Sequence, residues 1–227
     1  MKQIIAMGGG GFSMEPDNPV LDQYILNQVA TKDPKICFIP TASGDSDVYI
    51  ERFYNYFDKQ PCTPDHLSLF KPKTRDLKAF VFAQDILYVG GGSTKNMLAL
   101  WNEWGLVDII REALEKGVLL AGISAGAICW FEEGLTDSYG DELEPLRCLG
   151  FLSGSCCPHY DGEENRRPSY LHNIESGNMQ AGYALDDGAA LHFIDGEIHK
   201  VITSRPHAKA YYVQVKNKLI KESELNI

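Results

Sequence analysis

The sequence has no long apolar run, no paired cysteine motif and no excess of basic residues. None of its apolar runs approaches the roughly 18 residues that a membrane-spanning helix needs. Its six cysteines show no C-x-x-C spacing, so we interpret them as free thiols. With 21 Lys and Arg against 31 Asp and Glu, the formal net charge is −10. These shortages argue against a membrane protein, a disulfide scaffold, and a nucleic-acid or anionic membrane partner.

What remains is ordinary globular composition, with 44% apolar and 23% charged residues in a chain of 227. A chain of this length can bury a core without disulfides or metal. Its first residues carry only a short apolar stretch, 4–7, before four glycines, and this is too short for a signal-peptide core. We therefore predict a cytoplasmic protein that forms a single domain over residues 1–227.

Short apolar runs alternate with helical patterns along most of the chain, which is typical of βαβ units and a parallel sheet. The predicted strands cover residues 3–7, 35–40, 65–70, 85–89 and 118–123. From about residue 180 onward, turn signals such as Asp187-Gly188 and Asp195-Gly196 indicate antiparallel hairpins. The predicted fold class is α/β, with a mostly parallel sheet and C-terminal antiparallel hairpins.

The segment from Gly122 to Gly126 matches the G-x-S-x-G pattern directly after the most apolar predicted strand. Small residues around a serine allow a sharp strand-to-helix turn, which lifts the hydroxyl to the carboxyl end of the sheet. Ser124 is therefore the candidate nucleophile. The plainer interpretation is a glycine-rich turn with a capping serine.

A serine hydroxyl needs a base, and His159 has the most suggestive setting because it follows Pro158 at the start of a loop. The base in turn needs a carboxylate that orients it. Six acidic residues lie between the serine and this histidine, and the residues alone leave the choice among them open: Glu132, Glu133, Asp137, Asp141, Glu142 and Glu144.

Three glycines, 90–92, follow the strand predicted at 85–89. Their N–H groups can approach a ligand closely, and adjacent parallel strands would bring them beside Ser124. We assign the N–H groups of Gly92 and Ala125 to an oxyanion hole. No Gly-Lys-Ser/Thr, H-E-x-x-H or C-x-x-C pattern is present, so we expect neither a cofactor nor a metal.

Three segments together resemble the peptidase E family of serine aspartyl dipeptidases, with cyanophycinase as a more distant relative. They are 89–94 (VGGGST), 122–127 (GISAGA) and 149–160, which ends in Pro-His-Tyr. The resemblance implies a three-layer α/β/α fold similar to class I glutamine amidotransferases. It matches Ser124 to the nucleophile and His159 to the base. It places the acidic member at Asp137, with Glu133 or Glu142 as replacements.

The family's activity, release of N-terminal aspartate from dipeptides, requires a cation for the aspartate side chain. Arg166 and Arg167 are our candidates, with Lys95 behind them. We therefore predict a serine peptidase whose partner is a small acidic peptide and whose preferred substrate is an Asp-X dipeptide. Two alternatives stay open, namely an esterase or amidase on a non-peptide substrate and a catalytically silent regulatory protein. Whether the chain forms a homodimer also stays open.

Overall fold

The computed structural model describes residues 1–140 and 142–226, and its larger sheet has seven strands. Asp141, one of the six candidate carboxylates, lies outside the described residues. The strand order is β11-β10-β1-β5-β4-β2-β3. In chain order these strands are β1 (Gln3–Met7), β2 (Lys35–Ile39), β3 (Thr63–His66), β4 (Ile86–Val89), β5 (Leu119–Ile123), β10 (Ala189–Ile194) and β11 (Glu197–Thr203). β1 to β5 pair in parallel, whereas β10 and β11 pair antiparallel at one edge.

A second sheet of six strands follows the order β13-β12-β9-β8-β6-β7. Its strands are β6 (Phe131–Thr136), β7 (Glu144–Arg147), β8 (Leu152–Cys157), β9 (Gly182–Leu185), β12 (Ala210–Lys216) and β13 (Leu219–Glu224). β8 pairs in parallel with both β6 and β9. The pattern along the sequence predicted the C-terminal hairpins but not this separate sheet.

Helices cover both faces of the larger sheet. They are α1 (Gly11–Met14), α2 (Val20–Leu26), α3 (Asp47–Phe57), α4 (Leu77–Phe82), α5 (Thr94–Glu103), α6 (Leu106–Glu115) and α7 (Ala125–Ile128), whereas α8 (Arg166–Glu175) packs on β12 and β13 of the second sheet. A short 3₁₀ turn at Thr41–Ser43 follows β2. None of the helices in the described parts of the chain is long and apolar enough to cross a membrane.

The alternation of side chains along β1 shows how the layers are held together. Ile4 packs in one buried cluster with Trp101 of α5, whereas Ile5 packs in another with Phe53 of α3. The first of these clusters also contains Phe131 of the second sheet, so the two sheets share a core. The α/β fold class and its three layers are confirmed.

Candidate active site

Ser124 sits at a strained corner between β5 and α7. Its φ of 57° and ψ of −115° are unfavourable for a residue with a side chain. The corner closes because its neighbours are small. A Cβ on Gly122 would overlap the carbonyl of Gly126, and a Cβ on Gly126 would overlap the carbonyl of Val89. The Ser124 N–H donates to the Met7 carbonyl at 3.1 Å, which ties the corner to the end of β1.

The glycine loop after β4 lies directly against this serine. A Cβ added to Gly91 would lie 3.3 Å from the Cβ of Ser124. The Gly91 N–H donates to the hydroxyl of Tyr49 at 3.4 Å, and Gly92 has a φ of 132° with its Cα packed on the carbonyl of Ala42. The parallel pairing of β4 with β5 thus brings the glycine loop and the serine together, as expected from the sequence.

His159 follows β8 and also has a positive φ, 53°. Its Nδ1 lies 2.6 Å from Oδ1 of Asp187, and both side chains are largely shielded, with 14% and 11% exposed. The pair forms because β8 and β9 run in parallel with Cys157 opposite Ala184, so the residues that follow each strand meet.

The charge of Asp187 is set by two opposing effects. Burial favours the neutral carboxyl, but the hydrogen bond and positive charge of His159, with help from Arg205 and Arg166, lower the pKa of Asp187 below its usual value. Because the carboxyl is ionised at neutral pH, it accepts the hydrogen bond and His159 Nδ1 donates it. The Asp187 N–H is itself held by Asp161 Oδ1 at 2.8 Å.

Gly9 connects the histidine pair to the serine. A Cβ on Gly9 would overlap the Asp187 carboxylate and lie 3.1 Å from His159 Nδ1. Gly9 follows β1 by two residues, and β1 pairs with β5, which ends one residue before Ser124. The ends of β1 and β5 therefore carry the two halves of the candidate site side by side. Among the residues that the structure describes, the side-chain hydrogen bond of His159 goes to Asp187 and none joins it to the Ser124 hydroxyl.

The structure does not bring Asp137 to His159. Its side chain is 61% exposed and lies 3.8 Å from Arg166, at the start of α8. Of the two replacements, Glu133 accepts the N–H of Gln180, and Glu142 is exposed at the surface. The expected contact is therefore corrected to Asp187, which reaches the imidazole through the pairing of β8 with β9. Sequence reasoning missed it because Asp187-Gly188 is also a hairpin-turn signal.

Both predicted substrate-binding arginines already have partners. Arg166 is 3% exposed, donates to Glu163 at 2.5 Å and reaches the Leu135 carbonyl at 3.0 Å. Arg167 remains 55% exposed but donates to Glu222 at 2.8 Å.

The cysteines nearest the site are packing residues. Cys156 and Cys157 are fully buried, and burial raises the pKa of the Cys157 thiol to about 12. A thiol with so high a pKa is neutral at pH 7 and a poor nucleophile. In the described parts of the chain, no group of three or more His, Cys, Asp or Glu side chains is arranged to hold a metal ion.

Comparisons with known proteins identify the family of the chain. The family model described as Peptidase family S51 matches residues 4–201. An uncharacterized peptidase, YgaJ, from Bacillus subtilis is 60% identical over 227 residues, which is 100% of this chain and 98% of that protein. Peptidase E from Haemophilus influenzae is 29% identical over 140 residues, covering 57% of this chain and 61% of that protein.

Among solved structures, a peptidase from an acI-B1 Actinobacterium superposes with a TM-score of 0.73. The match covers 100% of this chain and 94% of the peptidase chain at 19% identity, and so it supports the fold alone. The family match spans most of the chain, and it includes the serine corner and the histidine that the geometry singles out. The chain belongs to peptidase family S51 and is a serine peptidase.

Proposed function

We propose that this serine peptidase is an Asp-X dipeptidase in which Ser124 is the nucleophile, His159 the general base and Asp187 the orienting carboxylate. The observation that carries the proposal is the 2.6 Å contact between His159 and Asp187, placed beside a strained serine. A strained serine near a largely shielded imidazole–carboxylate pair is the arrangement that acyl transfer needs.

The first half of the reaction forms an acyl-enzyme. His159 Nε2 takes the proton as the Ser124 oxygen attacks the scissile carbonyl, and Asp187 stabilises the imidazolium through Nδ1. The negative charge on the carbonyl oxygen is received by the N–H groups of Gly92 and Ala125. Ala125 is suited to this because it is the first residue of α7, where no helical acceptor is available for its N–H.

The acyl-enzyme is complete once the imidazolium gives its proton to the leaving amine and the C–N bond breaks. The second half releases the acyl product. A water molecule then attacks the acyl-enzyme, with His159 again accepting a proton, and the Ser124 oxygen leaves and is reprotonated. The two halves together return the enzyme to its starting state.

The preference for an acidic substrate is proposed from the resemblance of the 89–160 region to the aspartyl dipeptidases. Arg166 and Arg167 lie on the helix that follows His159, so their charges lie on the histidine side of the site. Arg167 is the more available of the two because over half of its side chain is exposed.

The direct test replaces Ser124 with Ala and measures hydrolysis of Asp-X dipeptides. We expect kcat/KM to fall by at least about 10³-fold, because the covalent step is lost while binding is retained. Ser153→Ala is the matched control, since Ser153 is an exposed serine on β8.

A fluorophosphonate probe should label the unchanged protein and the control but not Ser124→Ala. Equal turnover or equal labelling of Ser124→Ala would refute the proposal. Faster hydrolysis of simple esters than of any Asp-X dipeptide would instead favour the esterase alternative.

A further inference from the structure

A short loop, residues 137–139, which we call the rim loop, connects the histidine side of the site to the glycine side. The rim loop follows β6, which runs parallel to β8 with Gly134 opposite Cys156, so it leaves the second sheet near His159. At its other end, Ser138 Oγ accepts the backbone N–H of Lys95 at 3.4 Å. Lys95 is in the first turn of α5, only three residues after Gly92.

The ammonium group of Lys95 lies over an aromatic ring of this loop. Its Nζ lies 3.9 Å from the centre of the Tyr139 ring, and both side chains are exposed. A ring under the ammonium restrains its position and leaves the charge available, because the aromatic face contributes only a quadrupole. Lys95 forms no ion pair with any carboxylate in the two described segments of the chain.

The other cations around the site differ in this respect. Arg166 is paired with Glu163, Arg167 with Glu222, and Arg205 with Glu15. A substrate carboxylate that bound one of these arginines would have to compete with a protein carboxylate already in place. A net charge of −10 makes an uncompensated positive charge at the rim more significant for an acidic substrate.

We propose that Lys95, held in place by Tyr139, binds a carboxylate of the peptide substrate. This inference rests on the proposed peptidase mechanism and adds the residue that selects for the negative charge. A dipeptide can offer that charge from an N-terminal aspartate side chain or from its own C-terminal carboxylate.

The experiment compares Lys95→Gln with the unchanged protein on three substrates: an Asp-X dipeptide, the same peptide with Asn replacing Asp, and the Asp-X amide. We expect KM for the Asp-X dipeptide to rise about tenfold or more with kcat little changed, because one charge-assisted contact to substrate is lost. Only the analogue that lacks the bound carboxylate should be insensitive to the change. Asn-X therefore reports on the side chain, and the amide reports on the C-terminus.

Lys200→Gln is the matched control, because Lys200 also lies over a tyrosine ring, 5.5 Å from the centre of Tyr24, but on the edge strand β11. It should leave every KM unchanged. Lys95→Arg should restore most of the affinity, since it restores the charge.

Calorimetric binding of the same peptides to Ser124→Ala, with and without Lys95→Gln, separates this inference from the catalytic proposal. Weaker binding of the two peptides that carry the bound carboxylate, but not of the one that lacks it, supports the inference even if turnover is not measurable. Equal affinity with and without Lys95, or an equal loss for all three peptides, overturns it. The catalytic proposal falls only if turnover does not depend on Ser124.

Discussion

At the scale of single residues, the imidazole of His159 is the centre of the site. Nδ1 is held by Asp187 at 2.6 Å, which leaves Nε2 for proton transfer. We predict that Asp187→Asn lowers kcat by about 10³–10⁴-fold, because an amide cannot stabilise the imidazolium and permits the wrong tautomer. Asp137→Asn is the matched control and should retain activity within a few-fold, since Asp137 is 61% exposed and contacts Arg166 instead. Steady-state kinetics on one dipeptide checks both, and a larger loss in the control would reinstate Asp137.

Another prediction at this scale concerns the buried carboxyl of Asp22, which is 0% exposed and borders Gly11 beside the Tyr88 hydroxyl. Burial raises the pKa of Asp22 from 3.8 to about 7, and the Tyr88 hydroxyl and Phe12 amide offset only part of this. A carboxyl whose pKa is higher in the folded state than in the unfolded state stabilises the fold when it is protonated. This contribution of Asp22 is fully present below pH about 4 and is lost as the pH rises through about 7.

We therefore expect Asp22→Asn to gain stability relative to the unchanged protein as the pH rises from 5 to 8, by on the order of 3 kcal/mol. Urea unfolding at the two pH values measures it. The comparison is between variant and parent at each pH, because Asp186, whose pKa burial raises to about 6, contributes a slope of the same sign in both. A difference between the two proteins that does not change with pH would show that Asp22 ionises normally.

At the scale of strands and helices, the sequence predicts features that lie next to one strand in the chain. It does not predict contacts that depend on which strands pair. The serine corner and the glycine loop each follow a buried strand in the chain, so their meeting required only that β4 and β5 be neighbours. The acidic partner of His159 depends on β8 pairing with β9, whose ends are separated by the whole of α8. A pairing across a helix has no signature in the intervening residues, so the sequence indicates only the carboxylates that precede the histidine.

The same reasoning explains the second sheet. Phe131 to Thr136 has no strict alternation of apolar and polar residues, and β6 takes its place only through partners that come later in the chain. The helix after Ser124, α7, covers only Ala125–Ile128. The helix is short because Trp130 and Phe131 are fully buried in the core that both sheets share, which favours turning the chain into β6.

At the scale of the whole molecule, that shared core bears on whether the chain is a single domain. Trp101 of α5 and Trp130 before β6 are both 0% exposed, and their ring centres lie 6.2 Å apart. A cluster that contains side chains from both sheets should couple their stability, because opening one sheet would expose apolar surface of the other. The organisation as a single domain over residues 1–227 stays a prediction that unfolding can test.

We expect one cooperative urea transition, with the same midpoint by tryptophan fluorescence and by far-ultraviolet circular dichroism. Fluorescence reports on the shared core, whereas dichroism reports on helices and strands throughout the molecule. Trp104 is 38% exposed, so its fluorescence does not report on the shared core. Trp104→Phe removes that fluorescence and should leave the midpoint unchanged. Two transitions, or a fluorescence midpoint that differs from the dichroism midpoint in Trp104→Phe, would mean that the sheets unfold separately. The serine on the larger sheet and the histidine after β8 would then belong to parts of the molecule that unfold separately.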